Sequence, residues 1–234
     1  MSEPITSAIG EMKNGEYNLR GTPISQLIGG SDFASALWLT WTGSEPTKDE
    51  RVLIEACLVA SVDHGAEPPS AHVARVVASC GKPLADAVAA GLLTLGPRHG
   101  NAASAASEWI RSAVKNGDSA ESVVEAAIAD KRRLPGIGHP EYDVDPRTVK
   151  LAALAKKHLA STAHVDFALH AAQVFTNQKK KPLPLNVDGM IGAIIADMGA
   201  PSELADALFL VGRSVGLVAH AREETSGSAS YRRG

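Results

Sequence analysis

The chain's 234 residues predict an all-α fold, and three observations predict it. Apolar residues recur with helical period in nearly every long segment. No segment shows sustained alternation of apolar and polar residues. Aromatics make up only 4% against 44% hydrophobic residues, so the core must be aliphatic and alanine-rich, which suits closely packed helices. The length fits one domain, or one domain with a small appendage.

The elements follow in order. Residues 47–62 place Val52, Leu53, Ala56 and Ala60 on one side, with Thr47 positioned as a cap. Residues 83–95 open with Pro83 near a first-turn position and run through Ala85, Val88, Ala89, Leu92 and Leu93. Ala103, Ala106, Ile110 and Ala113 make a stripe that Asn116-Gly117 ends. Residues 118–129, 146–159 and 163–175 share the pattern, and 202–221 is the last long helix. The breaks are short and rich in Gly, Pro and Asp: "GAEPPS", "LGPRHGN", "LPGIGHPEYDVDP", "NQKKKPLPLNVDG". They carry histidines and an isolated aspartate, and loops on a rigid scaffold are where reactive groups tend to sit.

A net charge of −3 gives no basic footprint for nucleic acid. Cys57 and Cys80 form neither a disulfide framework nor a zinc spacing, and both are expected as buried free thiols. The start, MSEPITSAIGEMK, lacks a basic leader with an apolar core, and no apolar run approaches the roughly 20 residues that cross a bilayer. A reducing cytoplasm is the expected location, with no membrane partner. No metal motif appears: HExxH, paired CxxC and GxxxxGK[ST] are all absent.

Five stretches can carry chemistry. In "LGPRHGN", His99 precedes Gly100 at an expected helix start, where the positive dipole end favours neutral imidazole. Such an imidazole can donate to a developing enolate oxygen. The plain reading is a loop histidine capping a helix. In "GIGHP", Gly136 and Gly138 allow close backbone approach to a ligand, and Pro140 fixes the turn. Arg147 falls in the first helical turn after Asp145-Pro146. With His139 it suits a carboxylate beside a carbonyl; the plain reading is Asp145 as an N-cap with a solvated Arg147. In "LPLNVDGMIG", Asp188 lies among apolar residues, which would raise its pKa; an N-cap is the alternative. "SVDHG" places His64 at a helix end. "GRSVGLVAH" places Arg213 inside an apolar helix, where an arginine needs an anionic partner. Lys179, Lys180 and Lys181 form a small basic patch that suits a phosphate or a solvated loop.

Together, "GPRHGNA", "LPGIGHP…DPR", "NVDG…G" and "GRSVGLVAH" resemble the citrate synthase superfamily in order and spacing, from about Thr22 to the C-terminus. "SVDHG", "GLLTLG" and "LNVDGMIG" resemble most of all citryl-CoA lyase and the C-terminal citryl-CoA-cleaving module of ATP-citrate lyase. The resemblance implies a citrate synthase-like helical fold in a compact single chain, 1–234, with a small helical subdomain around residues 100–200. It implies a dimer.

By the same resemblance His99, His139 and Asp188 are catalytic, at the enolate oxygen, the oxaloacetate or hydroxyl oxygen, and the acetyl carbon. His64, Arg147 and Arg213 bind the dicarboxylate, and Arg232 is donated across the dimer. Family members commonly have a basic residue just after the "GxGH" histidine; here stand Pro140, Glu141 and Asp143. Coenzyme A contacts then fall to Lys179, Lys180 and Lys181, with Gly136 and Gly138. The implied reaction is cleavage of citryl-CoA to acetyl-CoA and oxaloacetate. No cofactor is bound tightly, coenzyme A being part of substrate and product, and a separate citrate–CoA ligase would be a partner. Two other readings stay open: a citrate or 2-alkylcitrate synthase, and a non-catalytic member that binds carboxylates or assembles with a partner.

Overall fold

Eleven helices and three short strands organise the described residues, 7–226, of the computed structural model. Chain contacts separate two units, with the boundary between Glu55 and Ala56.

The first unit corrects the expectation that there is no sheet. Strands β1 (Gly10–Lys13), β2 (Glu16–Leu19) and β3 (Thr22–Pro23) form a small antiparallel meander, with Met12 opposite Tyr17. Its two turns, Asn14-Gly15 and Arg20-Gly21, hold all four residues at positive φ, between 50° and 84°. That is the geometry a two-residue hairpin requires, and Asn-Gly is its strongest sequence signal. The strands are at most four residues long and largely exposed, so no apolar alternation marked them. Helix α1 (Ile24–Leu27) follows, then α2 (Phe33–Thr42), which Asp32 caps at Ser35 N–H and Gly43 ends at φ 81°.

Helix α3 (Lys48–Ser61) opens with a reciprocal capping box. Glu50 N–H donates to Thr47 Oγ1 at 3.2 Å, and Thr47 N–H donates to Glu50 Oε2 at 2.7 Å. The second unit continues with α4 (Pro69–Ser79), α5 (Leu84–Leu92), α6 (Ala103–Asn116), α7 (Ala120–Ala129), α8 (Pro146–His158), α9 (Ala163–Lys179), α10 (Val187–Asp197) and α11 (Glu203–Ser226). The expected helices in this unit are present, with ends shifted by a few residues. Helices α2, α4 and α10 were not foreseen. Every residue of α10 from Gly189 to Ala196 is buried, so it has no polar stripe to reveal its period.

Helix α10 packs on α6 and α9, and α11 packs on α4, α5 and α6. Glycine sets the α6–α10 separation: a methyl at Gly192 would lie 2.5 Å from Ala103 O and 2.8 Å from Ser107 N. Helix α11 is long and apolar enough, by length and composition, to cross a membrane. Here Ala205, Leu208, Leu217 and Ala221 are buried in the core. Cys57 is buried as expected, and burial pushes its thiol up to about 12. Cys80 is exposed, because it is the C-terminal cap of α4 rather than part of its packed face.

Candidate active site

A cleft of about 420 Å³ opens within the second unit. His64, His99, Gly138, His139, Arg147, Asp188 and Arg213 all line it, drawn from parts of the chain up to about 150 residues apart.

Two loops build one wall. Gly138 N–H donates to Pro184 O at 2.7 Å, Asn186 N–H donates to Gly136 O at 2.9 Å, and Asn186 Nδ2 donates to Gly138 O at 2.9 Å. The segment carrying His139 is thereby stitched to the one leading into α10. Gly136, at φ 83°, is required for this: a Cβ there would collide with the Gly189 backbone. Gly136 is therefore buried against α10 and does not line the cleft, whereas Gly138 does. The sequence expectation that both glycines face a ligand is corrected for Gly136. Asn186 caps α10 by accepting from Gly189 N–H at 3.1 Å, which leaves Asp188 free of that role in the first turn.

Asp188 is the least comfortable group in the cleft. Its Oδ1 is shielded from solvent and accepts no hydrogen bond. Burial, then the Asp206 carboxylate, push it up to about 6, as the apolar sequence context suggested.

His99 lies in a tight turn in which Gly96 and His99 exchange backbone hydrogen bonds of 2.8 Å. The expectation that it begins its own helix is corrected. Helix α6 starts only at Ala103, and the Asp206 carboxylate caps it at Ala103 N–H and Ser104 N–H. The helix end that meets His99 belongs to α4: Ser70 N–H donates to His99 Nε2 at 3.3 Å, with Ser70 Oγ at 2.9 Å. A nitrogen that accepts from a backbone amide carries no proton, so the neutral ring presents Nδ1–H. Burial first, then the Arg213 charge, hold this imidazole below its ordinary pKa.

His139 is held through its other nitrogen. Its Nδ1 accepts N–H bonds from Glu141 and Tyr142, both at 3.1 Å, so the neutral ring carries its proton on Nε2, the nitrogen that Arg147 Nη2 approaches at 3.4 Å. The Tyr142 ring stacks at 4.6 Å, and His64 approaches edge-on at 5.0 Å. Burial and the His64 charge lower the pKa of His139; burial, then Arg147, lower that of His64. His64 Nε2 lies 3.9 Å from Glu141 Oε2.

Asp145 is the N-cap of α8, fully buried, and also the partner of Arg147, accepting from Nη2 at 2.7 Å and Nε at 3.0 Å. Arg147 is thus neither solvated nor wholly free; its Nη1 is the part of the fork without a bond to Asp145. Arg213 is only 2% exposed. Its Nε donates to Ser61 O at 3.1 Å, its guanidinium lies 5.0 Å from the Phe209 ring, and its Nη1 has no hydrogen-bond partner. A buried unpaired guanidinium nitrogen in the same cleft as an unpaired carboxylate oxygen suits an anionic, hydrogen-bonding ligand.

Lys179, Lys180 and Lys181 are exposed where α9 ends and do not line the cleft, though Leu183, two residues on, packs beside Gly138. Arg232 lies outside the described residues. The sequence reading missed Ser70 and Asn186 as positioning groups and Arg98 and Glu67 as cleft residues. Asn186 stood in the quoted "NVDG". Nothing in the sequence ties Ser70 to His99, 29 residues away.

Residues 30–233 match the family model for the citrate synthase C-terminal domain. The chain belongs to the citrate synthase family. This family member superposes on the structure of citryl-CoA lyase from Hydrogenobacter thermophilus with TM-score 0.90 and 39% identity, covering 98% of this chain and 91% of that one. A mutant Methanosaeta concilii ATP citrate lyase in complex with (3S)-citryl-CoA gives TM-score 0.92 and 28% identity, covering all of this chain and 41% of that one. Among curated relatives, a probable ATP-citrate synthase of Dictyostelium discoideum is 32% identical over 94% of this chain. The chain spans 38% of that relative's length.

Proposed function

We propose that this family member is a carbon–carbon lyase that cleaves citryl-CoA to acetyl-CoA and oxaloacetate. The observation that carries the reading is the trio at the cleft: two neutral imidazoles with opposite nitrogens presented as donors, and a carboxyl held near 6. Their chemistry fits the substrate. His99 Nδ1–H donates to the thioester oxygen, where enolate charge develops, and His139 Nε2–H donates to the oxygen that becomes the ketone of oxaloacetate.

The proton of the tertiary hydroxyl needs a base. The resemblance gave that role to His139, but two backbone N–H groups aimed at Nδ1 oppose the tautomer and the imidazolium it would need. We assign it instead to neutral His64, whose imidazolium Glu141 would then stabilise. The O–H electron pair forms the ketone, the carbon–carbon bond breaks into the enolate, and protonated Asp188 delivers a proton to the acetyl carbon. Arg147 and Arg213 balance the carboxylates. Condensation would be the same path reversed, with Asp188 as base.

The same reading makes the molecule a cytoplasmic homodimer, with Arg232 reaching the partner's cleft and a separate ligase supplying citryl-CoA. It gives the coenzyme A phosphates to Lys179–Lys181, whose exposure at the end of α9 supports that role. The test is to mix purified protein with citryl-CoA and couple oxaloacetate to NADH oxidation through malate dehydrogenase. Turnover is expected, and Asp188→Ala should lower it by about a thousandfold. A folded wild-type protein without turnover overturns the reading; release of free citrate would move it to a synthase.

A further inference from the structure

One polar chain reaches the cleft from outside it. Arg75 on α4 donates from Nη1 to Glu223 at 2.7 Å and from Nε to Glu224 at 3.0 Å, both on α11. The same Nη1 lies 3.5 Å from Nδ1 of His220, one turn back on α11. His220 Nε2 in turn lies 2.8 Å from Asp63 Oδ1, and Asp63 Oδ2 accepts the N–H of Gly65 at 3.0 Å. Donors and acceptors agree along the whole path if His220 carries its proton on Nε2. The carboxylate it holds brackets His64, the residue between Asp63 and Gly65.

Backbone packing favours the same register. A Cβ on Gly216 would collide with Val62 O and stand 3.3 Å from Asp63 Oδ1. Helix α11 therefore lies directly on the backbone that enters the His64 loop, and His220 is one turn beyond that contact. The His220 side chain is 14% exposed and Asp63 44%, so the bond is covered on the helix side and open to solvent on the carboxylate side.

We propose that His220 is a positioning residue: through Asp63 it fixes the loop that aims His64 at the reacting hydroxyl. The proposal rests on the lyase reading given above for the role of His64, but its geometric content does not. The side chain does not line the cleft, so it acts only through that loop. A glutamine can replace it, since Gln Nε2 can donate to Asp63 while Oε1 accepts from Arg75. An alanine cannot.

The experiment is a double-mutant cycle with a spectroscopic arm. His220→Ala should lower kcat for citryl-CoA cleavage by roughly tenfold to a hundredfold, the cost of a misplaced reacting group, with a smaller change in KM. His220→Gln should stay within about threefold of wild type. In a His64→Ala background the His220→Ala loss should vanish, because the loop has nothing left to aim. Independently of turnover, the His64 imidazole resonances, assigned by His64→Ala, should shift in His220→Ala and return in His220→Gln. An unchanged His64 signal, or an undiminished His220→Ala loss in the His64→Ala background, overturns the proposal. If wild-type protein does not turn over citryl-CoA, the lyase reading fails while the spectroscopic arm still decides this one.

Discussion

The His99 corner and the His139 corner solve one problem by different means. Each needs a neutral imidazole that donates from a known nitrogen. His139 gets its tautomer from its own turn, through the N–H groups of Glu141 and Tyr142, two and three residues ahead. His99 gets it from α4, through an amide 29 residues back. The first device is local and moves with the loop. The second depends on tertiary packing of α4, which Gly91 permits by lying against Ser70 O. A tautomer can thus be set by a turn alone or by the docking of a whole helix, and only the first survives a shift between elements.

The largest test of that comparison is on activity. His139→Ala and His99→Ala should each lower cleavage by about a hundredfold or more, as expected for groups facing developing charge. Coupled turnover assays on both variants would check it; a His99→Ala enzyme with near wild-type kcat would reduce the His99 corner to a structural cap.

Stability gives the next test, and its sign is fixed. Asp188 has a raised folded-state pKa, so the native state favours the protonated carboxyl. The stability contribution is fully present below the ordinary carboxylate range, near pH 4, and is lost as pH rises through about 6. Asp188→Asn should therefore match wild type near pH 4 and exceed it by about 3 kcal/mol above pH 7. Urea melts at both pH values measure this, and equal stabilities at pH 8 would contradict the strain assigned to the carboxylate.

The smallest effect isolates the amide. Ser70→Ala removes the hydroxyl beside His99 Nε2 but keeps the backbone donor. Cleavage should stay within about threefold of wild type, by the same coupled assay. A loss of a hundredfold would transfer the control of His99 from the helix amide to the Ser70 side chain.

Much of this was legible in the sequence because amphipathic helices announce their period: α3, α5 to α9 and α11 all have an apolar stripe. Helix α10 does not, since it is buried on nearly every side, and the sequence hints at it only through Asp188 as a possible N-cap. The hairpin at Asn14-Gly15 was missed because its strands are mostly exposed. In the site, His64, His99, His139, Arg147, Asp188 and Arg213 meet as their motifs implied. What could not be read was which nitrogen each imidazole offers, because Ser70 and the folded turn after Pro140 decide that. The half-committed fork of Arg147 was likewise hidden, although Asp145 stood two residues away.

The contact between Gly136 and Gly189 has a consequence for how this cleft can diversify. Two bare backbones touch there, joining the loop of His139 to the helix of Asp188 with no side chain between them to lengthen or trim. The span from the oxygen-polarising group to the proton donor is thus closed to gradual retuning by substitution at that joint. New substrates of different length or charge would have to be accommodated at the mouth of the cleft, where Glu67 and Arg98 are exposed.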